Sequence, residues 1–138
     1  TQKWTLFPYT TLFRSYNMFI FNSRINMDHS KLRYKQKEAR EKAQYALDNQ
    51  VLKDSNYFIP KREAYLEKSG ILHSRLGEGH IEWKTPYARR LYYNPQYDFS
   101  HDVNPNAQGL WFEAAKKMFG KTWSKISGVP YSKIFNGK

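Results

Sequence analysis

From Lys31 to Asp54 the chain passes through strong helix formers without a single Gly or Pro. This stretch constrains the fold more than any other, because nothing inside it breaks a helix. Leu32, Ala39, Ala43, Ala46, Leu47 and Val51 recur at mixed three- and four-residue steps, which places them on one narrow apolar stripe. A stripe rich in alanine permits close approach but buries little area, so a long helix of this kind needs a partner surface. Asp28 or Ser30 supplies its cap, since either side-chain oxygen accepts from the orphan N–H groups of a first turn. Glu38 and Lys42 add an exposed i,i+4 pair worth on the order of a few tenths of a kcal/mol.

Shorter signals surround this helix. Met18 to Met27 is aromatic and β-branched and predicts a strand. Pro60 pushes Ile59 to extended geometry. Ile71–Leu76 and His80–Thr85 flank Gly77-Glu78-Gly79, a connection whose glycines can take positive φ, so a hairpin is expected. In its second arm Ile81 and Trp83 alternate with Glu82 and Lys84. Thr85 and Pro86 read as N-cap and first residue of a short helix over Tyr87–Tyr93, which Asn94-Pro95 ends. A strand over Tyr97–His101 and a helix from about Asn106 to Ser127 complete the order. Gly120 weakens that last helix by roughly 1 kcal/mol relative to Ala. The expectation is an α+β fold, a small antiparallel sheet packed by a long N-terminal helix and a C-terminal helix.

The 138 residues suit one domain, and 40% hydrophobic against 25% charged residues suits a core. No cysteine occurs, which excludes disulfides, thiolate metal sites and a thiol nucleophile. No apolar run approaches the roughly 20 residues of a membrane span. The formal charge is +11 and the aromatic fraction 17%. Positive charge favours phosphate backbones and acidic protein surfaces, while solvated helix faces are the plainer account. Lys31 to Lys42 holds the densest group, and Lys116, Lys117, Lys121, Lys125, Lys133 and Lys138 follow the C-terminal helix.

No catalytic constellation is legible, and no cofactor or metal is expected. His29, His73, His80 and His101 are the only imidazoles; His73 and His80 can face each other across the hairpin, but no third ligand lies at metal spacing. Glu63 and Glu67 sit beside Lys61, Arg62 and Lys68 as a solvated ion-pair patch. Gly77-Glu-Gly79 lacks the remainder of either nucleotide fingerprint. The richest segment is Trp83 to Pro95, where Trp83, Pro86, Tyr87, Arg89, Arg90, Tyr92 and Tyr93 are the candidate subunit or partner interface. Arg and Tyr are enriched at protein hot spots, yet interleaved cations and rings also suit single-stranded nucleic acid. A small basic nucleic-acid-binding protein is therefore the alternative reading.

The first residues read differently from the rest. Thr5 to Ser15 resembles the in-frame translation of a short-read sequencing adapter, and Pro8, Arg14 and the threonines deny it the apolar region of a secretory signal. Residues 1–17 are set aside as an artefactual or disordered leader, and 18–138 are taken as a single domain.

Three stretches, Tyr45–Lys61, Ile81–Arg89 and Trp111–Lys116 with Trp123, resemble the minor capsid proteins of the head–tail joining region of long-tailed bacteriophages and prophages. Arg24–Leu32 is similar to that family's opening of a strand followed by a helix start. Asp54-Ser-Asn-Tyr-Phe-Ile-Pro60 and Trp83-Lys-Thr-Pro-Tyr-Ala88 are the most specific parts. Where the family carries Asp-Thr-Gly-x-Leu after its Phe-x-Pro segment, this chain has Arg62-Glu-Ala-Tyr-Leu66; the glycine turn is absent and the local sequence favours a helical turn. The resemblance implies a structural virion protein of the neck, assembled in the host bacterial cytoplasm as a ring of about six or twelve copies. Its partners would be itself and the connector, neck and tail-tube proteins. No membrane is implied. A basic lumen would ease DNA passage, or the charge would serve solubility alone.

Overall fold

Helix α1 spans His29–Asn56 and organises the molecule. The computed structural model describes Arg24, residues 26–62 and residues 64–136. The Asp28 carboxylate caps α1, accepting the N–H groups of Ser30 (3.0 Å) and Lys31 (3.1 Å), as its short side chain and the orphan first-turn donors require. Three more helices follow: α2 (Tyr65–His73), α3 (Ala88–Tyr92) and α4 (Trp111–Asn136). The long pair α1 and α4 pack along each other. Ala39, Ala43 and Val51 are buried on α1, and Trp111, Ala115 and Trp123 on α4. Phe58, Ile59, Leu66 and Ala88 close the core from the loops and short helices.

The expected α+β fold with its antiparallel sheet is corrected by this architecture: among the described residues there is no strand. Residues 71–73, expected in the first hairpin arm, continue α2, and only one antiparallel bridge, Arg75 to His80, survives around the turn. Gly77 and Gly79 do adopt positive φ, at 95° and 72°. Residues 81–85 are left without a partner strand and pack on helices instead. Tyr97–His101 is likewise no strand; Tyr97 N–H closes a turn on the Asn94 carbonyl. The strand expected over Met18–Met27, and the leader before it, lie outside the described residues except for Arg24, Asn26 and Met27, which are irregular.

Helix boundaries moved for identifiable reasons. The expected start of α4 at Asn106 is delayed to Trp111 because Asn104 holds the preceding loop. Its amide donates to the carbonyls of Tyr57 (2.9 Å) and Ile59 (2.7 Å), and its oxygen accepts Asn106 N–H. The expected end at Ser127 is overrun to Asn136, with Pro130 inside the helix. Proline costs one helical hydrogen bond, yet α4 continues through it alongside α1, where Ile126, Val129 and Pro130 line a hollow with Lys42 and Ala46. Thr85 does not cap α3. Tyr87 occupies that position without a side-chain bond, and the buried Thr85 hydroxyl has no partner.

A candidate interaction surface around α3

Three polar side chains on the C-terminal half of α1 tie the surrounding pieces down. Asp48 is buried, and its Oδ2 accepts the backbone N–H groups of Gly77 (2.8 Å) and Gly79 (2.9 Å), while Oδ1 accepts the Gln44 amide (2.7 Å). Asp54 Oδ2 accepts the Trp123 indole N–H at 2.6 Å. Asn56 Oδ1 accepts the Trp83 indole N–H at 3.0 Å. Asp48 and Asn56 are buried and Asp54 is half-buried, and each meets a donor that satisfies it, as a carboxylate or amide taken out of water requires.

The aromatic residues stack outward from Trp111. Trp83 meets it edge-on with centroids 5.9 Å apart, and Tyr92 at 4.7 Å. Tyr93 in turn packs edge-on against Tyr92 at 5.1 Å, and the Arg89 guanidinium lies 6.0 Å over the Tyr93 ring. The result is an open groove of ≈ 670 Å³ between α1, the 77–79 turn, α3 and the start of α4. Leu47, Val51, Trp83, Tyr92, Trp111 and Phe112 give it apolar walls, with Arg89 beside them. Its one carboxylate, Asp48, is already engaged by the turn.

The candidate interface residues do not form one face. Trp83 is half-buried, braced between Asn56 and Trp111, and forms a wall of the groove. Pro86 is exposed in the turn before α3. Arg89, Tyr92 and Tyr93 line the groove, whereas Tyr87 and Arg90 line a second hollow on the other side of α3, with Leu66, Asp98 and Phe99. The cations and rings of Trp83–Tyr93 are therefore divided between two hollows. The helical turn expected over Arg62–Leu66 is the start of a longer helix, α2, which runs on to His73 and leaves Tyr65, Ile71 and Leu72 60%, 64% and 77% exposed. Ile71 and Leu72 were placed in a strand arm, where alternation would have buried one of them; adjacent apolar residues at a helix end carry no such signal.

The electrostatics are those of a surface. The Tyr92 hydroxyl donates to Glu113 (3.3 Å) and is pushed up to about 12, first by burial and then by the Glu113 charge. The exposed Glu82 is held below the usual carboxylate range by its hydrogen bond with His80 (3.2 Å). His73 ends α2 and His80 pairs with Arg75 in the single bridge, and the charges of both bear on Glu82. Among the described residues no group of three His, Asp or Glu can hold a metal ion, and no helix is long and apolar enough to cross a membrane.

No curated protein and no solved structure matches the chain. The profile of the minor capsid protein family matches residues 23–128, a span that holds α1, α2, the 77–79 turn, α3 and most of α4. On that match the chain belongs to the minor capsid protein family and is a structural component of a phage virion.

Proposed function

We propose that this virion component is a head–tail joining subunit, a tail-completion or neck protein that assembles with copies of itself into a ring. Its work is to make contacts; no reaction is assigned to it. The observation that carries the reading is the presence of two unlike apolar surfaces. One is the outer side of α2, with Tyr65, Ile71 and Leu72 uncovered. The other is the groove flanked by Arg89 and by Tyr93, itself 65% exposed. A ring requires unlike surfaces, because each subunit meets its two neighbours through different patches. Exposed large apolar side chains in adjacent positions also mark surfaces that await a partner.

Sedimentation of the purified chain, with electron microscopy of any particles, tests this. Closed rings of defined mass are expected, and Leu72→Glu or Tyr93→Ala is expected to shift them toward monomer without lowering helix content. Capture of a connector or tail-tube protein places the ring between head and tail. A chain that stays monomeric at every concentration and captures neither protein overturns the reading.

A further inference from the structure

Away from both apolar surfaces, the N-terminal half of α1 is a concentration of cations. Arg33, Lys37 and Arg40 recur at four- and three-residue steps and line one hollow of ≈ 300 Å³ with Gln36 of α1 and Tyr131 of α4. Lys31 and Lys35 lie two residues to either side of Arg33, nearly half a turn around the helix from it at about 100° per residue. All five cations are exposed. Two carboxylates share this region. Glu38 pairs with Lys42 at 2.7 Å, and Glu41 sits 3.9 Å from Lys37. Among the described residues no carboxylate pairs with Lys31, Arg33, Lys35 or Arg40.

We infer that this end of α1, with Tyr131 beside it, binds the phosphate backbone of duplex DNA without reading its sequence. The chemistry of the hollow decides between phosphate and an acidic peptide. Guanidinium, ammonium, amide and phenol groups surround it, and all of them donate to phosphate oxygens. No Leu, Ile, Val or Phe side chain lines this hollow, so a peptide's apolar anchors would find only the stems of the cationic residues and the Tyr131 ring. Cations on two flanks also exceed what one acidic cluster can meet. Duplex DNA carries a charge every ~1.7 Å of axis, and its major groove admits an α-helix with a phosphate backbone along each side, so both flanks are engaged at once. The inference goes beyond the role in the ring and does not depend on ring formation. It also moves the nucleic-acid contact away from Arg89 and Arg90, where composition alone had suggested it.

The test is fluorescence anisotropy of a labelled random-sequence duplex of about 30 base pairs with the whole chain, from about 50 to about 300 mM salt. Affinity should fall steeply with salt. The triple variant R33Q/K37Q/R40Q should flatten the log–log slope by about 2 to 3, near 0.9 per lost contact, and weaken binding at least ~10-fold. K31Q/K35Q, on the opposite flank, should flatten it by about 2. Glutamine keeps helix propensity, and circular dichroism checks that each variant is folded. K116Q/K117Q/K121Q removes the same charge from exposed positions of α4 and should leave the slope unchanged. The inference is overturned by any of four results: no binding at the lowest salt, unaltered binding by both α1 variants, an equal loss in the α4 control, or displacement of the duplex by polyglutamate at equal charge.

Discussion

The Asp48 carboxylate, buried on α1, accepts the backbone N–H of Gly77 at 2.8 Å across 29 positions of sequence. Gly79 donates to the same oxygen at 2.9 Å. The turn is thus held to α1 by a side chain that the helix presents, in place of a strand ladder.

Replacing Asp48 by Ala should leave both turn N–H groups and the Gln44 amide without their acceptor. Hydrogen bonds to a charged group are worth about 1.5–3 kcal/mol, and orphaned donors add to the loss. We expect a stability loss of about 2–3 kcal/mol and a melting temperature lower by about 10 °C. Amide exchange at Gly77 and Gly79 should accelerate more than at Val51. Unchanged melting would show that the turn is held by something else.

Ala64 has φ of 58° immediately before α2. That is left-handed geometry, which a residue with a Cβ adopts at a cost and glycine adopts freely. Left-handed geometry costs a non-glycine residue about 1–2 kcal/mol, partly offset by the greater unfolded-state freedom of Gly. Ala64→Gly is therefore expected to stabilise the chain by up to about 1 kcal/mol, read as a higher urea midpoint with an unchanged slope. A lower midpoint would mean that the alanine methyl contributes packing that outweighs the strain.

Trp123→Phe keeps a ring against Phe112, with which the indole stacks at 5.9 Å, but removes the N–H donated to Asp54. The expected loss is about 1–2 kcal/mol in chemical denaturation. Asp54→Asn combined with Trp123→Phe should cost less than the sum of the two single changes, because both act on one bond. Strict additivity would deny the coupling.

Tyr92 carries a pH dependence. Its hydroxyl is raised from 10 to about 12 in the folded chain, so the unfolded chain gives up this proton first. The contribution is intact below about pH 10 and is lost as pH rises toward about 12. Stability of the parent protein should consequently fall more steeply across that window than stability of Tyr92→Phe. Parallel curves would place the Tyr92 hydroxyl in an ordinary aqueous setting.

Much of the helical framework was legible because its signals are local. Asp28 caps α1, and the Gly-free and Pro-free run becomes the helix it predicts. The positive φ of Gly77 and Gly79 was equally readable, since little but glycine takes it without cost. The sheet failed on a competition that no window of sequence contains. The alternation of Ile81, Glu82, Trp83 and Lys84 fits a strand, but Trp83 gives its N–H to Asn56 and its ring to Trp111. Side-chain partners on two helices thus took the place of a neighbouring strand. Gly70 belongs to the same contest: a Cβ there would run into the Trp83 indole, so the absence of a side chain on α2 is what lets Trp83 lie down.

The candidate surface was half legible. Residue types marked Trp83 to Tyr93 as one candidate segment, but that Arg89, Tyr92 and Tyr93 share a groove is a result of packing. Their division from Tyr87 and Arg90 by α3, and the groove that only some of them enter, depends on where α1 and α4 pass.

By itself the amino-acid order determined what nearest neighbours can enforce: where α1 begins, where glycines must turn the chain, and that a cysteine-free, cationic chain carries its charge in two lysine-rich runs. Packing decided the remainder. Whether residues 71–76 become helix or strand, whether Pro130 ends α4, and which aromatic ring is a strut and which faces solvent are settled by contacts between segments far apart in sequence. Those contacts outweigh local preferences of about 1 kcal/mol for most residues and about 3 kcal/mol for a proline inside a helix, and they exist only once α1 and α4 lie side by side.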